Sequence, residues 1–358
     1  MNGTDELRPG CAGAALAGSS LPRRDDDMKL YLPGRGNPRI VAIGGGHGLS
    51  TMLRGLKYYT TNITAIVTVA DDGGGSGMLR EDLGMLAPGD IRSCILALAN
   101  TEPTMEKLID YRFSEGQLAG QSFGNLLLAA LNGISGTFDE AVRRMGDVLN
   151  IVGRVLPVTN DDVYLEAEFE NGSRVLGESR IFFAKKANDC RIRRVRLVPE
   201  HPRALPESLE AIAQADMIVL GPGSLYTSII PNLLVDGVTD AILASPALKV
   251  LVLNIMTQDG ETEGYTAADH VRAIFAHGAP GLIDLCVGNS AAIPPRVADA
   301  YRREGAEPLN LTRDELERMG LQLAEYPLAA SESGFARHDP GSLATALMEI
   351  LRKEHRRR

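Results

Sequence analysis

Two kinds of apolar pattern alternate along this chain. Arg39-Ile-Val-Ala-Ile43 and Ile63-Thr-Ala-Ile-Val-Thr-Val-Ala70 are unbroken and β-branched, as strands buried on both faces are. Between them, residues 49–60 repeat at helical spacing, which predicts strand, helix and parallel strand. The strand pattern returns at Met217-Ile-Val-Leu220, at 249–256 and at 282–287. Helical stretches fall near 206–215, 236–244 and 266–277. Four helical segments are expected over 91–99, 104–113, 123–131 and 138–149. A β insert comes next, at about 160–200: 163–170 alternates, Asn171-Gly172 is a hairpin turn, 175–183 returns, and 195–198 adds a third strand. The fold class is therefore α/β. A mostly parallel central sheet with flanking helices carries a helical insertion and a small β-hairpin insert.

Residues 1–36 are rich in Gly, Pro, Ser, Arg and Asp and read as a disordered tail. One α/β domain is expected over 37–330, and 331–358 as a C-terminal helix with a basic end. The length of 358 residues and 44% hydrophobic content suffice for a large core. The net charge of −9 is concentrated in the middle of the chain, which argues against a nucleic-acid surface. The four cysteines are far apart and lack Cys-x-x-Cys spacing, so reduced thiols are expected. No apolar run reaches the roughly 18–20 residues that cross a bilayer. No basic-then-apolar leader is seen, so a cytoplasmic protein without membrane insertion is expected.

The chemistry should lie at the carboxyl ends of the parallel strands. The first strand ends in Gly44-Gly45-Gly46-His47-Gly48, with Leu49-Ser50 directly after. Such a glycine turn before a helix lets the backbone approach an anion. The second ends in Asp71-Asp72-Gly73-Gly74-Gly75-Ser76-Gly77, a later one in Gly221-Pro222-Gly223-Ser224 with Thr227 and Ser228 behind, and the next in Asn254 and Thr257-Gln258. These segments should converge on one rim. The nicotinamide fingerprint would need a small third residue, and Leu49 stands there. No Gly-Lys-Ser/Thr comes after the loop, so neither a dinucleotide nor a Walker site is expected, nor any NAD or flavin cofactor.

Asp71 and Asp72 suit Mg²⁺ binding or the orientation of a hydroxyl, and equally a capping turn. Asp90 is either a site residue or a cap, and Arg92 a substrate contact or a structural arginine. His47 is a phosphate contact or a surface residue. His270 and His277 lie seven apart with no third ligand, so zinc is not expected. The basic run Lys185, Lys186, Arg191, Arg193, Arg194 and Arg196 reads as a solvated hairpin face.

The motifs Ile43-Gly-Gly-Gly-His-Gly-Leu-Ser50, Thr64-Ala-Ile-Val-Thr-Val-Ala-Asp-Asp-Gly-Gly-Gly-Ser-Gly77, Pro88-Gly-Asp-Ile-Arg92, Gln121-Ser-Phe-Gly-Asn-Leu126 and Gly221–Leu234 resemble the bacterial gluconeogenesis factor family (YvcK-like). That family sits within the 2-phospho-L-lactate transferase (CofD-like) superfamily. Met256–Thr262 and Asp269-His270 fit as well, and the likeness runs from about Pro38 to Gly320. The resemblance implies a Rossmann-like fold and a nucleotide-sugar ligand, with a role linking growth on gluconeogenic carbon to wall synthesis and cell shape. It equally implies, as an alternative, a Mg²⁺-dependent transferase acting on a nucleoside-diphosphate-linked donor. By motif, the diphosphate would lie between Gly44–Gly48 and Gly221–Ser228. The sugar would approach Asp71, Asp72 and Asn125, with Arg92 stabilising charge. A regulatory protein partner and a homo-oligomer fit such a role. The chain departs from the family pattern at His47, where a small residue such as Thr is usual, and at Gln121, where His is usual.

Overall fold

The computed structural model describes residues 37–330 and 334–357, so the expected disordered tail at 1–36 lies outside the described residues. In chain order the first half comprises β1 (Ile40–Gly44), α1 (Gly46–Leu56), β2 (Ile63–Val67), α2 (Gly74–Leu83), α3 (Gly89–Leu98), α4 (Pro103–Asp110), α5 (Phe123–Gly133), α6 (Phe138–Val148) and β3 (Arg154–Pro157). An insert comes next: β4 (Tyr164–Phe169), β5 (Arg174–Leu176), α7 (Glu178–Asn188) and β6 (Ile192–Val198). The second half comprises α8 (Pro206–Gln214), β7 (Met217–Leu220), α9 (Ile230–Leu233), α10 (Val238–Ala244), β8 (Leu248–Val252), α11 (Ala267–His277), β9 (Leu285–Asn289), α12 (Pro295–Arg303), α13 (Arg313–Arg318), β10 (Gln322–Tyr326), β11 (Ala329–Ala330), β12 (Arg337–His338) and α14 (Pro340–Arg357).

Seven strands form one parallel sheet in the order β10-β9-β8-β7-β1-β2-β3. The chain builds outward from β1 through β2 to β3, then returns to start β7 on the other side of β1. The order therefore reverses between β1 and β7, and a crevice opens at their carboxyl ends. β1 and β2 are buried at every position, which is why they read as continuous apolar runs. On α1, Leu49, Met52, Leu53 and Leu56 form one fully buried face. Burial on that scale is worth about 1.5–3 kcal/mol per side chain. α14 lies along α1, with Leu343, Ala344 and Leu347 in the same core.

Several expectations change in detail. The return strand at 175–183 is only Arg174–Leu176, and helix α7 occupies the rest. Apolar Ile181, Phe182 and Phe183 look like strand residues, but Ile181 packs inward while Phe182 covers the backbone of Gly260. The third insert strand is longer than expected, and the small antiparallel sheet has the order β5-β4-β6. The glycine run at 73–77 is no open loop, because α2 begins at Gly74. The strand expected at 249–256 ends at Val252, and the one expected at 282–287 is Leu285–Asn289. β3 and β10, the two edge strands, are not foreseen by the apolar pattern. Their exposed or half-buried positions interrupt the run.

Candidate functional site

Loop 44–48 and loop 221–224 end the two strands that flank the reversal, and they touch backbone to backbone. A Cβ at Gly48 would stand 2.4 Å from the Pro222 carbonyl oxygen, so only glycine permits this approach. Asn254, just after β8, clamps the second loop through both ends of its amide. Its Nδ2 donates to the Gly223 carbonyl at 2.9 Å, and its Oδ1 accepts from the Gly223 N–H at 3.3 Å. Asn232, fully buried on α9, donates to the carbonyls of Gly44 at 3.1 Å and Ser228 at 2.8 Å. Sequence reasoning missed this second clamp, because a lone Asn inside an apolar stretch gives no chemical signal.

Both helix starts expected to receive phosphate already hold a carboxylate. Asp90, at the start of α3, accepts from the Gly46 N–H, and its carboxyl fills the space where a Gly45 Cβ would be. Glu261 accepts from the N–H groups of Tyr226 at 2.6 Å and Thr227 at 3.1 Å in the π-type turn Leu225–Ile229. Removal from water pushes each of these carboxyls up to about 7. Asp71 adds to the rise at Asp90, and the N–H bonds oppose it in both. The second oxygen of Glu261, Oε2, is buried without a partner. Glu261 lies in the Thr-Gln-Asp-Gly-Glu run after β8, where its polar neighbours marked a loop but not a buried acid.

Most of the other expected residues serve local bonds. The Ser50 hydroxyl donates to the His47 carbonyl at 3.0 Å, tightening the first turn of α1. Ser224 donates to Gln258 at 2.8 Å. Thr257 exchanges bonds with the backbone of Glu307. Asp71 accepts from the Gly73 N–H at 2.8 Å and from Ser76. Burial is the largest influence on it and raises its pKa. Asp72 accepts from the Ser179 N–H at 2.8 Å, which ties α7 to the end of β2. Arg92 pairs with Asp110 at 2.7 Å and lies against Gly124. The Asn125 N–H donates to the Ser122 hydroxyl, the cap of α5, and its Oδ1, like Oε1 of Gln121, is buried without a partner. Gln121 Oε1 abuts Gly75, so the segment leading into α5 packs on the start of α2.

Charges of both signs act around the crevice. His47 is exposed at the start of α1. Desolvation, then the charges of Arg337 and Arg92, hold its imidazole below the ordinary value, with a smaller push from Arg54. Arg54 is paired with Glu106 at 3.0 Å. Arg337, on β12, stacks on Phe335 at 5.4 Å and has no acidic partner among the described residues. Against these stand the carboxyls of Asp71, Asp72, Asp90, Glu261 and Glu178, of which Asp90 reaches the Gly46 N–H next to His47. Burial, with repulsion by the other four added to it, pushes Glu178 up to about 8. Among the described residues, no group of three His, Cys, Asp or Glu side chains is spaced to hold a metal ion. His270 and His277 are both buried and bonded to backbone carbonyls of their own helix. A cavity of about 350 Å³ opens beside Asn254 and is lined further by Asn289, Ala298, Arg302 and Pro308.

Arg193 pairs with Glu168 and Arg196 with Glu166, and Lys185 and Lys186 pair with Glu263 and Asp259, which accounts for part of the basic run. Among the described residues no helix is long and apolar enough to cross a membrane.

Comparison with known proteins agrees with this architecture. The family model described as 2-phospho-L-lactate transferase CofD matches residues 40–329. The gluconeogenesis factor of Bacillus subtilis is 47% identical over 317 residues, which is 88% of this chain and 99% of that protein. The gluconeogenesis factor of Halalkalibacterium halodurans is 45% identical, over 87% of this chain and 95% of that one. A crystal structure of a Bacillus halodurans protein, described as a member of the upf0052 family, superposes with a TM-score of 0.84 at 44% identity. It covers 88% of this chain and 100% of that chain. With its Rossmann-like sheet and its pair of facing loops, the chain belongs to the gluconeogenesis factors within the CofD family.

Proposed function

We propose that the chain binds a nucleoside-diphosphate sugar across the β1/β7 crevice and serves as a cytoplasmic sensor linking growth on gluconeogenic carbon to wall synthesis and cell shape. The observation that carries this reading is the contact of two strand-end loops beside a cavity. The loops make a seat for a diphosphate, and the cavity at Asn254 has the size of a ring-binding pocket. In this reading the diphosphate lies over 46–48, between His47 and Arg337, whose guanidinium has no competing carboxylate among the described residues. The base enters the 254–311 cavity. The sugar turns toward Asp71, Asp90 and Asn125.

A second reading is favoured by the family description: a transferase that moves a phosphorylated group from a nucleoside-diphosphate-linked donor to a hydroxyl. The carboxylates do not form a metal cage of their own. Mg²⁺ would therefore arrive with the diphosphate and use a single carboxylate, which is a common mode for this ion. In this reading Asp71 or Asp90 would supply it.

Melting curves with UDP, GDP, UDP-glucose and GDP-mannose, with and without Mg²⁺, separate the two readings. At about 100 times Kd a ligand adds roughly 2.7 kcal/mol, which is several degrees in Tm. Stabilisation without turnover supports the sensor. Mg²⁺-dependent donor consumption with an added acceptor alcohol supports the transferase. If none of the four raises Tm, both fail. Arg337→Ala is expected to weaken nucleotide binding about tenfold or more, the loss of one charge-assisted contact, with unchanged urea stability.

A further inference from the structure

Glu178 is placed where folding alone would not put it. The Gly177-Glu178-Ser179 turn lies directly on the loop after β2. Asp72 Oδ1 holds the Ser179 N–H at 2.8 Å, and its Oδ2 abuts Gly177. Gly73 packs against the Ser179 side chain. Farther along α7, Lys185 pairs with Glu263 at 3.0 Å and Lys186 with Asp259 at 2.6 Å, while Phe182 covers Gly260. The insert is thus fastened to both walls of the crevice, and its first helical residue is delivered between them.

The Glu178 carboxyl is half-buried and makes no hydrogen bond or ion pair among the described residues. The carboxyls that act on it are Asp71 and Asp72 after β2, Asp90 on α3 and Glu261 after β8, and on its own helix the Arg180 side chain lies against Gly177. Arg80, on α2, is tied to Asp162 and to the carbonyls of Val69, Asp71 and Val163. A side chain with four like-charged neighbours and no partner lowers stability, and such arrangements persist where a ligand uses them.

We infer that Glu178 reads the group attached to the diphosphate: it contacts an uncharged, hydroxyl-bearing substituent and excludes a carboxylated one. Asp72 is its positioning residue. This rests on the diphosphate reading above. A neutral carboxyl offers a sugar both a donor and an acceptor, whereas an anionic substituent would meet the surrounding carboxyls of Asp71, Asp72, Asp90 and Glu261. The residue acts on the group beyond the diphosphate and leaves the diphosphate itself to the 46–48 turn.

The test is calorimetric titration of the full chain with UDP, UDP-glucose and UDP-glucuronate. Wild type should bind UDP-glucose at least tenfold more tightly than UDP-glucuronate. Glu178→Ala should weaken UDP-glucose at least tenfold and UDP less than twofold. Glu178→Gln, which keeps size and a donor, should retain UDP-glucose affinity. Asp72→Ala should reproduce the selective loss, and Asp72→Asn, which keeps an acceptor for Ser179, should not. As pH rises through about 8, wild type should lose its preference for UDP-glucose over UDP while Glu178→Gln keeps it. If wild type binds none of the three nucleotides, the diphosphate reading itself fails. If wild type binds UDP and UDP-glucose but Glu178→Ala weakens both equally or neither, the role of Glu178 is overturned and the diphosphate reading stands. Glu178→Gln decides the matter through its pH profile if the alanine variant does not fold.

Discussion

Asp90 shows how a single residue trades stability for a site. Its carboxyl titrates near 3.9 in an unfolded chain and at about 7 here. Because the folded value is the higher one, the native state binds more protons between pH 4 and 7, and stability falls as pH rises through that window. Above pH 7 both states are ionised and the loss is complete. Below pH 4 both are neutral and there is none. Asp90→Asn keeps an oxygen for the Gly46 N–H and removes the charge. The variant should match wild type in urea denaturation near pH 4 and exceed it at pH 8, by on the order of 2 kcal/mol after screening. Equal stability at both pH values would mean that Asp90 is not desolvated in the folded chain. A sequence reader sees only Pro-Gly-Asp before a helix and is left with a cap or a site residue. The residue is a cap, but of α1, a helix some forty positions earlier.

At the scale of elements, legibility comes from continuity. β1, β2 and β7 are buried on both faces and announce themselves, and so do the glycine turns that end them. β3 and β10 lie at the sheet edges with mixed burial and are silent in the pattern. α7 reads as a strand because Ile181, Phe182 and Phe183 suit one, and only tertiary packing decides otherwise. That misreading hides Glu178, and it hides the reason for Asp72, whose carboxylate is committed to the helix. The other hidden tie is Arg80. Nearly buried on α2, it bonds Asp162 at 2.7 Å and three carbonyls, and stacks over Tyr164 at 4.1 Å. It joins the end of β2 to the start of the insert. Arg80→Ala leaves buried carbonyls of Val69 and Val163 without this donor and should cost about 3 kcal/mol in urea denaturation. A change below about 1 kcal/mol would show that the insert does not depend on this tie.

At the scale of the whole molecule, the fold joins distant parts of the sequence at one rim. Loops 44–48, 71–77, 221–228 and 254–258 are expected to converge, and β1, β2, β7 and β8, which carry them, lie side by side in the sheet. Arg337 is not foreseen, because nothing in a tail sequence says where it will return. The helix after it, α14, packs along α1 with Ala344 against Gly55, and β12 pairs with β11, so the chain's end is led back toward His47. The charges around the crevice therefore combine residues from the first, middle and last parts of the chain. The overall negative charge argues against nucleic acid but gives no hint of this combination.

The two internal carboxylates on the helix starts have a calorimetric consequence. Asp90 and Glu261 act as resident anions, so the N–H groups of Gly46, Tyr226 and Thr227 are already hydrogen-bonded within the chain. A diphosphate that takes over these N–H groups displaces them, and a displaced carboxylate beside a phosphate takes up a proton from the buffer. Nucleotide uptake near pH 7 should then carry a heat that depends on the buffer's ionisation enthalpy. In phosphate and in Tris at the same pH, the apparent binding enthalpies should differ, with a slope between zero and two protons per ligand bound. Identical enthalpies would mean that the ligand leaves both resident anions in place.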